Sequence, residues 1–295
     1  MEASIFTQVL LPIAIALIMF GMGLSLTIQD FTRLAKAPKS IGVGLLGQII
    51  LMPLLALGIC LILKLETPIA VGLMILAACP GGTTSNVFSQ VAKANLALSV
   101  SLTAISTFIC VFSTPFIIQY AINNFAGEQA IEFSLLQTAI GLFVVTLVPV
   151  IIGIGIRHRF TNAALKAEVY FRRFSLLFLV AMILALVIKE REMLVTSFDQ
   201  VFFAALALNI ISIAMGLLLS KIFNLSFIDG ITLAIEVGIQ NATLAILIAI
   251  SFLNAPEFAV SAGVYGLAMY IGPTLLVLWV KSVRKKREAL TAAEN

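Results

Sequence analysis

The chain has very few charged residues. Asp, Glu, Lys and Arg make up 11% of its 295 residues, whereas hydrophobic residues make up 61%. Soluble globular domains contain about 25% charged residues, so this composition excludes a soluble protein. The apolar runs between the charges are roughly 16 to 25 residues long, which is the length that a helix needs to cross about 30 Å of hydrocarbon. We therefore predict an all-α, polytopic membrane protein.

Residues that perform catalysis are also scarce. The single histidine, His158, lies between two arginines at a predicted helix end. The three cysteines, Cys60, Cys79 and Cys110, all fall within apolar segments, where a small hydrophobic packing role is expected. Because the apolar segments contain neither a Cys–His arrangement nor an aspartate pair, we predict neither an enzyme nor an organic cofactor. The basic residues are expected to orient the chain in the membrane, and no nucleic-acid partner or obligatory protein partner is expected.

Nine membrane spans are predicted from the apolar runs. They cover residues 9–26, 40–63, 68–92, 96–121, 134–156, 174–188, 201–222, 227–252 and 258–280. If the N-terminus lies outside, every one of the 18 Lys and Arg residues except Lys64, Lys189 and Arg191 falls in a cytoplasmic segment. The positive-inside rule thus predicts an external N-terminus and a cytoplasmic C-terminus. The sixth span is short for a full crossing, and the alternative is a start further back, near Tyr170, with Arg172 and Arg173 snorkelling to the headgroups.

Two predicted spans are interrupted by helix-breaking and polar residues. The third span breaks at residues 79–86 (CPGGTTSN) and the eighth at residues 236–241 (EVGIQN). Broken helices persist in a membrane only where they are buried in protein or line a wet cavity, and paired breaks are typical of a transporter's binding site. The two spans cross in opposite directions, which indicates an inverted repeat that leaves the fifth span without a partner.

Glu236 lies in the middle of the eighth span. An ionised carboxylate at the bilayer centre costs at least about 2.5 to 3.5 kcal/mol. No Lys or Arg is predicted within the hydrocarbon to pair with it, so a bound cation or a proton is expected. Gln240 lies at i+4 on the same helical face, while Asn241 and the carbonyl groups of Val237 and Ile239 lie at the break. All of these groups offer hard oxygen ligands.

Further oxygen ligands are predicted in the second and fourth spans. Ser99, Thr103, Ser106 and Thr107 share one face of the fourth span, and Gln48 lies in the second. Such hydroxyls suit a small hard cation, but Ser and Thr in membrane helices also commonly bond to the i−4 carbonyl or to a neighbouring helix.

The break at Gly81 and Gly82 points to a different ligand. Glycines allow a ligand to approach the backbone closely, and the half-helix that starts near Thr83 would direct N–H groups and its positive dipole end into the gap. We interpret this break as an anion site. The alternative is that the two glycines only permit tight helix packing.

Four segments of the chain resemble the bile acid:sodium symporter family. They are IMFGMGL at 18–24, PGGTTSN at 80–86, NLALSV at 95–100 and AIEVGIQN at 234–241. The resemblance implies panel helices within residues 1–39 and 134–199, core helices within 40–133 and 200–283, and a cytoplasmic tail at 284–295. It also implies a bacterial inner-membrane location and alternating access between the two domains.

The same resemblance implies two sodium ions bound in the core and one substrate site. The first sodium ion would bind Ser85, Asn86, Ser99, Thr103 and Glu236, and the second Gln48, Glu236, Val237, Ile239 and Gln240. The substrate would lie near Thr83, Thr84 and Asn241. The implied function is sodium-coupled import of an organic anion, either a bile acid or a small carboxylate such as pantoate.

Two departures from the bacterial relatives border the expected substrate cavity. Asn241 is followed by Ala242-Thr243, at a position where those relatives are expected to have a Ser-Gly pair. Met269-Tyr270 stands where a His-Asn pair is expected. These differences argue against a bile acid as the natural substrate. The main alternative function is a proton-coupled or uniport permease in which Glu236 titrates, and a passive receptor would leave the paired breaks unexplained.

Overall fold

The computed structural model describes residues 6–127 and 133–294, without side chains at 6, 7, 34, 35 and 286–294. Parts of the predicted panel (residues 1–5), core (128–132) and tail (295) ranges therefore lie outside the described residues. Within the described ranges the chain is helical and has no strand. The predicted all-α class is confirmed.

Seven described helices are long and apolar enough to cross a membrane. They are Gln8–Ser25, Pro38–Leu63, Leu96–Phe125, Leu135–Arg159, Thr161–Lys189, Arg191–Ile222 and Pro256–Lys285. Each of them overlaps one of the predicted spans. The predicted third and eighth spans are instead built from shorter helices, because each is interrupted near its middle.

The helices are labelled in chain order. They are α1 (Leu11–Ser25), α2 (Ile28–Lys36), α3 (Pro38–Leu45), α4 (Met52–Leu63), α5 (Thr67–Ala78), α6 (Thr84–Val91), α7 (Leu96–Phe125), α8 (Leu135–Leu142), α9 (Val148–Arg159), α10 (Thr161–Lys189), α11 (Arg191–Ile222), α12 (Phe227–Gly238), α13 (Ala242–Leu247), α14 (Ala259–Ala268) and α15 (Ile271–Glu294). Short π-helical turns precede α1, follow α13, and join α3 to α4 and α8 to α9.

The helix that contains the sixth span extends further back than the predicted starts near Tyr170 and at residue 174. Helix α10 begins at Thr161, thirteen residues before the later of these starts. The additional residues include Glu168 and Arg172, whose charges lower the local hydropathy without preventing a helix. These two side chains lie one turn apart, with 3.7 Å between Arg172 Nη1 and Glu168 Oε1, a spacing that supports a helix.

The helices pack around the two interrupted segments. Helix α1 packs against α9 and α10, and α11 packs against α12, α14 and α4. Small residues permit the close approaches. A Cβ atom on Gly23 of α1 would lie 2.9 Å from the Val150 Cα atom of α9, and one on Gly216 of α11 would lie 2.6 Å from the Ala234 Cα atom of α12. Such contacts are typical of membrane helix interfaces.

Candidate functional site

The two interrupted segments cross at their breaks. The Gly82 N–H donates to the Ile239 carbonyl at 2.9 Å, and the Asn241 N–H donates to the Pro80 carbonyl at 3.0 Å. These bonds give partners to backbone groups that lie outside the helices, as an apolar surrounding requires. The structure therefore brings both predicted breaks to one place.

Glycine is required at this crossing because there is no space for a side chain. A Cβ atom on Gly81 would lie 2.7 Å from Glu236 Oε1, and one on Gly82 would lie 2.9 Å from the Gln240 carbonyl oxygen. Both distances are shorter than a van der Waals contact. The paired glycines thus allow the first segment to lie directly against the carboxylate of the second.

Glu236 is buried, with 1% of its surface exposed, and is held by three hydroxyl groups. Ser85 Oγ and Ser99 Oγ each donate to Oε2 at 2.7 Å, and Thr103 Oγ1 donates to Oε1. Glu236 takes part in no ion pair with a described residue. The carboxylate is therefore surrounded by neutral donors.

Asn86 contributes an oxygen that has no donor. Its Oδ1 atom is buried and accepts no hydrogen bond from any residue that the structure describes. A buried carbonyl oxygen without a donor costs about 1 to 3 kcal/mol. Asn86 follows Ser85 on α6, so an unpaired oxygen lies one residue from a hydroxyl that binds the carboxylate. This set of oxygens fits a small hard cation.

The hydroxyl stripe of α7 divides into two parts. Ser99 and Thr103 contact the carboxylate, whereas Ser106 Oγ and Thr107 Oγ1 donate to the Thr103 carbonyl at 3.2 and 2.7 Å. Bonding within the helix is common for hydroxyls in membrane helices. Only the first two hydroxyls therefore belong to the candidate site.

A second group of oxygens lies around Gln48 and Gln240. Gln48 Nε2 donates to Gln240 Oε1 at 2.7 Å and to the Cys79 carbonyl at 3.1 Å. Gln240 Nε2 donates to the Val237 carbonyl at 2.7 Å. The predicted ligand Ile239 directs its carbonyl to Gly82 and has one further lone pair to offer.

Two residues that were not predicted from the sequence support the second break. Asn209 Nδ2 donates to the carbonyl groups of Gly238 and Met269, and its Oδ1 accepts the Gly272 N–H. The Tyr265 hydroxyl also donates to Gly238, at 2.9 Å. An asparagine in the middle of an apolar span is the signal that could have identified this role.

A cavity of about 380 Å³ lies beside the crossing. The predicted substrate residues Thr83, Thr84 and Asn241 all line it. Arg172 and Arg173 of α10 line it as well, a position that the sequence did not predict for them. The cavity combines polar groups of both breaks with two guanidinium groups.

Three of the N–H groups at the first break have acceptors within the protein. Those of Ser85 and Asn86 donate to the carbonyl groups of Gly82 and Thr83, and that of Gly82 donates across the crossing. The N–H groups of Thr83 and Thr84 donate to no backbone carbonyl of a described residue.

Comparison with known proteins decides the family. Residues 12–197 match the profile of the Sodium Bile acid symporter family. The chain belongs to this family. Within it, the chain is 34% identical to a Bacillus subtilis protein named an uncharacterized sodium-dependent transporter, YocS, over 96% of this chain and 88% of that protein.

More distant relatives carry names that state a substrate class. The chain is 31% identical to the rice probable sodium/metabolite cotransporter BASS2, over 95% of this chain and 64% of that protein. It is 27% identical to the human ileal sodium/bile acid cotransporter, over 82% of this chain and 69% of that protein. Family members thus include proteins named for different substrates.

Proposed function

We propose that the protein is a sodium-coupled symporter that imports an organic anion by alternating access. The observation that carries the proposal is the buried Glu236 carboxylate, whose partners Ser85, Ser99 and Thr103 are all neutral. An ionised carboxylate in the membrane requires a compensating charge. A sodium ion would supply that charge, as the names of the sodium-dependent relatives suggest.

The first sodium ion is assigned to Ser85, Asn86, Ser99, Thr103 and Glu236. The unpaired Asn86 Oδ1 supports this assignment, because a bound cation would satisfy it. The hydroxyl groups that donate to the carboxylate have lone pairs left with which to bind a cation.

The second sodium ion is assigned to Gln48, Glu236, Val237, Ile239 and Gln240. The bonds among Gln48, Gln240 and the Val237 carbonyl support it, because they hold several oxygens near one point. Glu236 would then be shared by both ions. The substrate is assigned to the cavity beside Thr83, Thr84 and Asn241.

The proposed architecture comprises nine spans in an inverted repeat. Panel helices fall within residues 1–39 and 134–199, and core helices within 40–133 and 200–283. The packing of α1 against α9 and α10 supports the panel, and that of α11 against α12, α14 and α4 supports the core. The Bacillus subtilis relative supports a location in the bacterial inner (cell) membrane, and the distribution of Lys and Arg supports an N-terminus outside and residues 284–295 in the cytoplasm.

The driving force would suffice for strong accumulation. If two sodium ions accompany one monovalent anion, one net charge enters, which is worth about 2.3 kcal/mol per 100 mV. Two tenfold sodium gradients add about 2.8 kcal/mol. At a membrane potential of about 100 mV the two contributions sum to about 5 kcal/mol, which corresponds to roughly a few thousandfold accumulation of the anion.

Uptake into proteoliposomes tests the proposal. Pantoate and taurocholate uptake is measured with an inward sodium gradient and with choline in place of sodium, at fixed pH. We expect uptake of at least one acid to require sodium and Glu236→Ala to abolish it. Uptake that persists in choline and follows a pH gradient would instead assign Glu236 as a titrating group of a proton-coupled permease.

A further inference from the structure

We propose that Arg172 and Arg173 bind the carboxylate of the substrate and make the cavity selective for small monocarboxylates. The inference rests on the proposed function, because it concerns the substrate of the same transporter. It assigns the recognition of negative charge to α10 rather than to the crossing.

Both arginines lie on α10 immediately before its apolar part, and both are exposed, with 52% of the Arg172 side chain accessible. Arg172 is eleven residues after Thr161, the first residue of α10, and therefore about 16 Å along it. From this position the long side chain of an arginine can extend to the headgroups or into a water-filled cavity. Arg172 and Arg173 both line the cavity of about 380 Å³ beside the crossing.

The crossing contributes no charged side chain to the described lining of the cavity. The N–H groups of Gly82 and Asn241 are bonded across the two segments, and those of Ser85 and Asn86 are bonded within the turn. The side chains of Thr83 and Thr84 contribute only neutral hydroxyls. A carboxylate in the cavity would therefore find its counter-charge on α10, where a guanidinium group can form two parallel hydrogen bonds to it.

The charge of the lining favours one negative charge on the substrate. Arg172 lies 3.7 Å from Glu168, whose side chain is 18% exposed and lines an adjoining cavity of about 210 Å³. Arg173 has no ion pair or hydrogen bond with a described residue. Glu168 is the single carboxylate among the described lining residues of the two cavities, and no lysine lines either. Two arginines and one glutamate leave a net charge of +1, which a monocarboxylate neutralises.

Thermal melts of the purified protein in detergent test this inference with three probes. These are pantoate as a monocarboxylate, succinate as a dicarboxylate and taurocholate as a bile salt, each titrated in sodium chloride and in choline chloride. The variants are R172Q, R173Q, R173K and E168Q. Arg159→Gln is the matched control, because Arg159 is exposed at the end of α9 and lines neither cavity.

We expect wild-type protein in sodium to bind pantoate more tightly than succinate or taurocholate. R172Q and R173Q should each weaken pantoate binding at least tenfold, R173K should retain part of it, and R159Q should have no effect. E168Q should tighten succinate binding, because it raises the net charge of the lining to +2. A purely structural role of the arginines would not produce this gain.

Three results would overturn the inference. In the first, R172Q and R173Q bind pantoate with the same affinity as R159Q. In the second, E168Q binds succinate with the same affinity as wild-type protein. In the third, wild-type protein is stabilised by sodium but by none of the three probes. The proposed function fails separately, if sodium alone gives wild-type protein no stabilisation over choline. Melting of each variant in sodium without any acid reports whether it has folded.

Discussion

The substitution Glu236→Gln should remove sodium-dependent stabilisation while leaving the fold intact. The amide has the same shape as the carboxylate, so the surrounding hydroxyl groups can remain in place. At an effective dielectric constant of 20, two unit charges about 4 Å apart attract by about 4 kcal/mol. Loss of the charge should therefore weaken sodium binding roughly thousandfold.

The size of the effect follows from mass action. At a sodium concentration of 100 times the dissociation constant, each bound ion stabilises the folded protein by about 2.7 kcal/mol. Two proposed ions that share Glu236 would contribute about 5.4 kcal/mol. In the Gln variant the same concentration is about one tenth of the dissociation constant, and the contribution falls to roughly 0.1 kcal/mol per ion.

The assay is thermal unfolding of the purified protein in sodium chloride and in choline chloride at equal ionic strength. The melting temperature of wild-type protein should rise with the logarithm of the sodium concentration, and that of Glu236→Gln should not. Glu192→Gln, an exposed change at the start of α11, controls for the loss of one charge. Sodium stabilisation of Glu236→Gln within twofold of the wild-type value would refute the assignment of Glu236 as the shared cation ligand.

Three further predictions concern the crossing. Gly81→Ala should lower the affinity for ²²Na⁺ at least tenfold in equilibrium dialysis, because the new methyl group would lie 2.7 Å from a carboxylate oxygen. Gly58→Ala should leave the affinity unchanged, because a Cβ atom there meets nothing within 4 Å. Gln48→Leu should reduce the bound ²²Na⁺ from two ions to one, and an unchanged stoichiometry would contradict the second site. Asn209→Leu leaves two buried backbone groups without partners and should destabilise the protein by about 2 to 6 kcal/mol in choline melts. The same substitution at the exposed Asn123 should not. Equal melting temperatures of the two variants would contradict the role of Asn209.

Much of the architecture could be predicted because it depends on local properties of the chain. Apolar runs of sufficient length form membrane helices wherever they occur, and the glycines and proline near Gly81 interrupt a helix whatever surrounds them. The full length of α10 was not predicted, because hydropathy responds to charge, whereas helix formation does not require apolar residues. The candidate ligands around Glu236 were predicted from residue type and helical spacing together with the family resemblance.

The sequence by itself determined that this is an all-helical membrane protein with two interrupted helices and a carboxylate in need of a counter-charge. Tertiary structure alone decided which distant residues meet. It brought Ser85 to Glu236 across 151 residues and Gln48 to Gln240 across 192, and it directed Arg172 into the cavity. Hydropathy and helix breaking act over a few residues, whereas these contacts depend on how separate helices pack, which no local pattern encodes.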